Sequence, residues 1–72
     1  MSTDKELSKE IASLLKSDPG LDATHITVTV KNGVVTLSGT VRTFTAKWMA
    51  KEAIKHISGI KHIKEELGVS EV

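Results

Sequence analysis

Cysteine and tyrosine are missing from this chain, proline occurs once, and the aromatic content is one Phe and one Trp. Without thiols there can be no disulfide framework, thiolate zinc site or cysteine nucleophile, so stability has to come from packing alone. No apolar run approaches membrane-spanning length. An excess of charge is lacking too: ten Lys and Arg against nine Asp and Glu leave a formal net charge of +1. Any electrostatic preference must therefore arise from how charges are arranged rather than from their sum. The opening residues, Met1 to Leu7, have no apolar core of a secretory signal and run directly into a helical pattern. The expectation is a cytoplasmic chain as given, with periplasm or envelope as the alternative if a leader or flanking domain has been removed. A chain of 72 residues is expected to be one domain, and a domain of this size buries only about 60% of its unfolded surface. That leaves little room for a deep pocket.

What is present begins with residues 25 to 41. Ile26, Val28 and Val30 alternate with threonines, and Asn32-Gly33 supplies the positive φ angles of a two-residue type I′ turn. Such a turn sets Lys31 opposite Val34, and counting outward pairs Val30 with Val35, Val28 with Leu37 and Ile26 with Gly39. One face is thus apolar, while Thr27, Thr29, Thr36, Ser38 and Thr40 make the other, so the sheet should be covered on one side only.

On the N-terminal side, Thr3-x-x-Glu6 has capping-box spacing, and Leu7, Ile11, Leu14 and Leu15 recur at helical intervals. The first helix is expected over about residues 4 to 17, ending at Ser17-Asp-Pro-Gly20. After Val41 the period changes to about 3.6, with Ala46, Ala50, Ala53, Ile54 and Ile57 on one stripe. The second helix is expected over 43 to 57, with Thr43 as N-cap and Gly59 as C-cap. Its alanine face suggests close approach to the sheet, with Gly39 giving the helix backbone room. Ile60, Ile63, Leu67 and Val69 suggest a last strand at about 61 to 69. A right-handed crossover makes it parallel to the strand before the helix. The reading is an α+β fold of order αββαβ, two helices packed on one face of a three-stranded mixed sheet.

The order of elements, together with Gly33-Val-Val-Thr-Leu-Ser-Gly-Thr-Val41, Ala50-x-x-Ala53 and Ile57-Ser-Gly-Ile60-x-x-Ile63, resembles the BON domain of bacterial envelope and osmotic-stress proteins. The resemblance covers nearly the whole chain. Glu65 stands where that family usually has Asn, and Gly68 where an apolar residue is common. The resemblance implies a non-catalytic module similar to those thought to attach proteins to phospholipid membranes, often as tandem copies or fused to other domains. It implies no catalytic residue and no cofactor.

The residues themselves nominate the back of the second helix. Phe44, Trp48, Lys51 and Lys55 are spaced i, i+4, i+7 and i+11, opposite the Ala and Ile stripe, with Arg42 and Lys47 nearby. Placing the only two aromatics away from the expected core is unusual for a domain that needs every apolar contact. An aromatic and basic stripe suits a membrane interface, where each Lys or Arg near anionic lipid contributes about 1 kcal/mol. Four charges and two partly buried rings suggest roughly 5 to 7 kcal/mol, a weak affinity. The alternatives are that Phe44 folds back over the helix start and Trp48 packs on the first helix or hairpin edge, or that the stripe meets a protein, including a second copy across a two-fold axis. Salt separates lipid from aromatic protein contact, since headgroup attraction fades with ionic strength.

Other chemistries are less well served. Glu52, His56 and His62 could approach one another, but Glu52 and His56 read as a surface pair rather than metal ligands, and His25 lies on the hairpin. No serine has a nucleophile elbow, and no His-carboxylate cluster recurs, so no enzymatic activity is expected. Nucleic acid is not the partner this pattern points to: the threonine-rich sheet face lacks stacking aromatics, and Gly59-Ile-Lys-His62 does not complete a GXXG clamp.

Overall fold

The computed structural model describes residues 3–70. Helix α1 (Asp4–Ser17) is followed by β1 (Ile26–Lys31), β2 (Val34–Val41), helix α2 (Phe44–Ile54) and β3 (His62–Val69). The three strands form one sheet in the order β1-β2-β3, antiparallel between β1 and β2 and parallel between β2 and β3. The hairpin register runs from Lys31 opposite Val34 to Ile26 opposite Gly39, as the Asn-Gly turn requires. Asn32 (φ 52°) and Gly33 (φ 81°) both take the left-handed angles of a type I′ turn.

Both helices bury their apolar stripes in a single core. Leu7, Ile11 and Leu15 from α1 and Ala46, Ala50 and Ile54 from α2 join Val35, Leu37, Val41 and Leu67 of the sheet. Leu14 is left out. At 100° per residue it lies 60° from the centre of the Leu7-Ile11-Leu15 stripe, and it is 41% exposed. Thr3 caps α1 by accepting the Glu6 amide at 3.1 Å, and Thr43 caps α2 by accepting the Ala46 amide at 3.0 Å.

The structure corrects three sequence expectations. Helix α2 stops at Ile54 with Lys55 as its C-cap, so Ile57 lies beyond it, half-buried against the core. Gly59 (φ 101°) is therefore the positive-φ residue of the turn into β3 and not the helix cap. Gly39 (φ 107°) makes room for β1, not for α2: a Cβ there would sit 1.9 Å from the His25 carbonyl oxygen.

A contact that joins distant parts of the chain lies at the hairpin turn. The Asn32 amide donates to Asp4 Oδ2 at 2.8 Å and the Gly33 amide to Asp4 Oδ1 at 3.3 Å. The first residue of α1 thus ties the helix start to the turn, while the Lys61 amide donates to the Gly33 carbonyl at 2.8 Å from the other side.

Candidate functional site

The outer side of α2 follows from its inner side. Ala46, Ala50 and Ile54 mark the buried meridian, and a rotation of 100° per residue carries Phe44, Lys51, Trp48 and Lys55 to the opposite half of the helix. Phe44 is 70% exposed and Trp48 63% exposed. The two rings, four residues apart, share one solvent face. With Leu14 they are the large hydrophobic side chains left exposed among the described residues.

The basic residues around the rings are not equivalent. Lys47 points towards β3 and pairs with Glu65 at 3.8 Å, with both side chains mostly covered. Lys55 pairs with Glu52 on the same helix at 2.7 Å. Glu52 thus takes Lys55 rather than the His56 expected as its surface partner. Arg42, just before the helix cap, pairs with Asp22 in the loop ahead of β1 at 3.8 Å. Only Lys51, among the described residues of this face, is exposed with no carboxylate within ion-pair distance. The structure therefore brings together Phe44, Trp48 and Lys51, and leaves Arg42, Lys47 and Lys55 largely matched by carboxylates.

Two of those carboxylates have structural reasons of their own. Glu65 stands opposite Leu37 in the sheet register, on the helix-covered face. Its Oε1 also accepts the Leu67 amide at 2.9 Å. A charge turned inward on the outer strand, with its own carboxylate on a backbone amide, is a device that discourages strand addition at that edge. The signal was visible as period two, since Glu65 falls in step with Ile63 and Leu67 on one face of the strand. Asp22 accepts from the Thr24 hydroxyl at 2.5 Å and the Thr24 amide at 3.0 Å. These hydrogen bonds, followed by the charge of Arg42, hold its carboxyl below the ordinary value of 3.8. Asp22 lines a shallow cleft with His25, Thr40 and Arg42 at one end of the sheet.

No helix among the described residues is long and apolar enough to cross a membrane. What α2 offers is a surface element: two rings, one unmatched ammonium, and flanking ion pairs. Chemically such a face can adsorb to an amphiphilic surface or be covered by an apolar partner patch.

None of the curated proteins matches the chain. The family model for the BON domain does match, over residues 3–71, which is nearly the full length and includes every helix and strand described above. That extent, and an αββαβ architecture of two helices on a mixed sheet, identify the chain as a member of the BON domain family, a family of binding modules.

Proposed function

We propose that this domain is a non-catalytic module that attaches to phospholipid surfaces through the outer face of α2. Phe44 and Trp48 enter the headgroup region, and Lys51 contacts lipid phosphate. The observation that carries the reading is the pair of rings, 70% and 63% exposed, side by side on a helix whose other face is fully packed. A Phe and a Trp each present 150–250 Å² when fully exposed. At those exposures, partial immersion removes roughly 120–160 Å² in total from water, or about 3–4 kcal/mol at 25 cal/mol/Å². One unmatched lysine adds about 1 kcal/mol on an anionic surface. The sum corresponds to a dissociation constant near the millimolar to high-micromolar range.

The ion pairs revise the expected salt response. Because Lys47, Lys55 and Arg42 already face carboxylates, anionic lipid should be favoured over zwitterionic lipid only by the share of Lys51. Added salt should weaken adsorption modestly rather than abolish it.

The test is a two-dimensional amide NMR titration of the labelled domain with anionic and with zwitterionic vesicles, at low and physiological salt. Broadening centred on residues 44–55 and on the Trp48 indole, lost in Trp48→Ala, is the expected result. An unchanged spectrum at millimolar lipid refutes the lipid reading and leaves the same face to a protein partner or a second copy of the domain.

A further inference from the structure

Asn32 is the only side-chain amide in the chain, since there is no other Asn and no Gln, and it is followed by glycine. Asn-Gly is the sequence in which the next backbone nitrogen meets the least steric hindrance on its way to the side-chain carbonyl, because glycine has no Cβ. We propose that Asn32-Gly33 is the deamidation site of this protein and that the Asp4 carboxylate, by holding both amide hydrogens of the turn, keeps it unreacted in the folded state.

The chemistry is a cyclisation followed by hydrolysis. The Gly33 nitrogen gives up its proton to solvent base and attacks Asn32 Cγ. The Cγ–Nδ2 bond breaks and ammonia leaves, giving a five-membered succinimide. Water opens that ring at either carbonyl, producing aspartate or isoaspartate. One water is consumed and one ammonia released, with no change of oxidation state.

Three features of the fold oppose the first step. The Gly33 amide hydrogen is engaged by Asp4 Oδ1 at 3.3 Å, and the Asn32 amide by Oδ2 at 2.8 Å. A carboxylate beside the nitrogen also disfavours the negative charge that must develop there. Finally, Gly33 is buried, its carbonyl accepts the Lys61 amide at 2.8 Å, and the Lys61 side-chain stem packs against it, 3.0 Å from where a Cβ would be. The nitrogen is thereby fixed in the turn plane and cannot swing towards Cγ until α1 lifts from the hairpin. Reaction then proceeds from the locally opened turn, at a rate set by how often that opening occurs. The product resists closure: isoaspartate adds a backbone atom to a two-residue turn, and either product places a second carboxylate next to Asp4.

The experiment follows intact mass and isoaspartate content during incubation in mildly alkaline buffer. It compares the native chain, the chain in urea, Asp4→Ala, Asp4→Ser and the control Lys5→Ala, with amide spectra confirming which variants are folded. Because Asn32 is the sole amide side chain, any conversion of amide to acid reports this site. The native chain and Lys5→Ala should react slowest and the chain in urea fastest. Folded Asp4 variants should react at least about tenfold faster than the native chain, tenfold being the change in opening that the loss of even one hydrogen bond to a charged group gives at the low end of its range. The proposal is overturned if the native chain reacts as fast as in urea, or if folded Asp4→Ala and Asp4→Ser react no faster than the native chain. Slower reaction in those variants also overturns it, because Asp4 would then be acting as the base. Should both variants unfold, hydrogen exchange at Gly33 in the native chain decides: protection supports the clamp, and exchange at the free-peptide rate refutes it.

Discussion

Gly39→Ala should be the most damaging single-methyl change in this domain, and three glycines allow the reason to be dissected. At Gly39 two costs combine. The backbone sits at φ 107°, where an L-residue is strained by roughly 1–3 kcal/mol. The added Cβ would also lie 1.9 Å from the His25 carbonyl oxygen and 3.1 Å from its carbon. Relief requires β1 to move away by more than an ångström at its start. That same carbonyl accepts the Thr40 amide at 3.1 Å, so the move also gives up a hydrogen bond worth about 1 kcal/mol. The expected loss is about 3–5 kcal/mol, against a total stability of about 4–11 kcal/mol for a chain of this length. Gly59 isolates the first cost, since its φ is 101° but no atom lies within 4 Å of a Cβ there, so Gly59→Ala should lose about 1–2 kcal/mol. Gly68 has neither cost: its φ is not positive, and the nearest atoms, at 3.8 and 3.9 Å, are at ordinary contact distance. Gly68→Ala should fall within about 0.5 kcal/mol of the parent, or gain slightly by stiffening the unfolded chain. Urea unfolding monitored by Trp48 fluorescence and far-ultraviolet circular dichroism gives all three values. The reasoning is refuted if Gly39→Ala loses less than about 1 kcal/mol, or no more than Gly59→Ala.

Three further outcomes are expected. Phe44→Ala and Trp48→Ala should each change stability by less than about 1 kcal/mol, because most of each ring is already in water; a larger loss in urea unfolding would mean that the rings support the fold. The Asp22 carboxyl should titrate below 3.8 by NMR, and Thr24→Val should return it towards that value by removing the hydroxyl donor, its largest cause. Since its folded value is depressed, Asp22 contributes stability above its unfolded value and loses it as pH falls through the folded one, so a native midpoint at or above 3.8 would contradict the geometry. In a double-mutant cycle Lys47 and Glu65 should couple by about 0.5–1 kcal/mol. Glu65→Ala should cost more than Lys47→Ala, because it also strips the acceptor from the Leu67 amide; equal losses would show that this hydrogen bond adds nothing.

How much was legible depended on whether the information was local. The hairpin register could be counted because Asn32-Gly33 admits few turns and a slip of one residue would turn Val35 and Leu37 outward. The helix between β2 and β3 makes a strand–helix–strand crossover, which set β3 parallel to β2. Gly39 was recognisable as a place of close approach, but its neighbour was not, since the pairing of His25 with Thr40 extends the hairpin one step past its regular strands. Charge was the least legible. The spacing that lines up Phe44, Trp48, Lys51 and Lys55 says nothing about which carboxylates the loop before β1 and the last strand bring to Arg42 and Lys47. The clamp of Asp4 on the turn spans 28 residues of sequence, and no periodicity announces it.

The ion pairs bear directly on how such a domain could be useful. A face whose cations were all free would gather affinity from charge, and a single copy could hold an anionic membrane by electrostatics that salt would erase. Here the carboxylates Glu52, Glu65 and Asp22 neutralise most of that charge in place, so attachment would rest on the two rings. Apolar insertion of that size gives millimolar to high-micromolar binding that depends little on ionic strength. With those carboxylates in place, affinity could rise far only by exposing more apolar surface, at the risk of self-association. The remaining route is copy number. A second site on the same molecule or assembly binds at an effective concentration of about millimolar through a short flexible linker, and the gain is the ratio of that concentration to the single-copy dissociation constant, about one- to tenfold for each added copy without a new contact. If the face attaches to lipid as proposed, its weak and salt-tolerant grip would suit a domain that acts in multiples or beside a membrane-binding element, and would poorly suit one that must hold a surface alone.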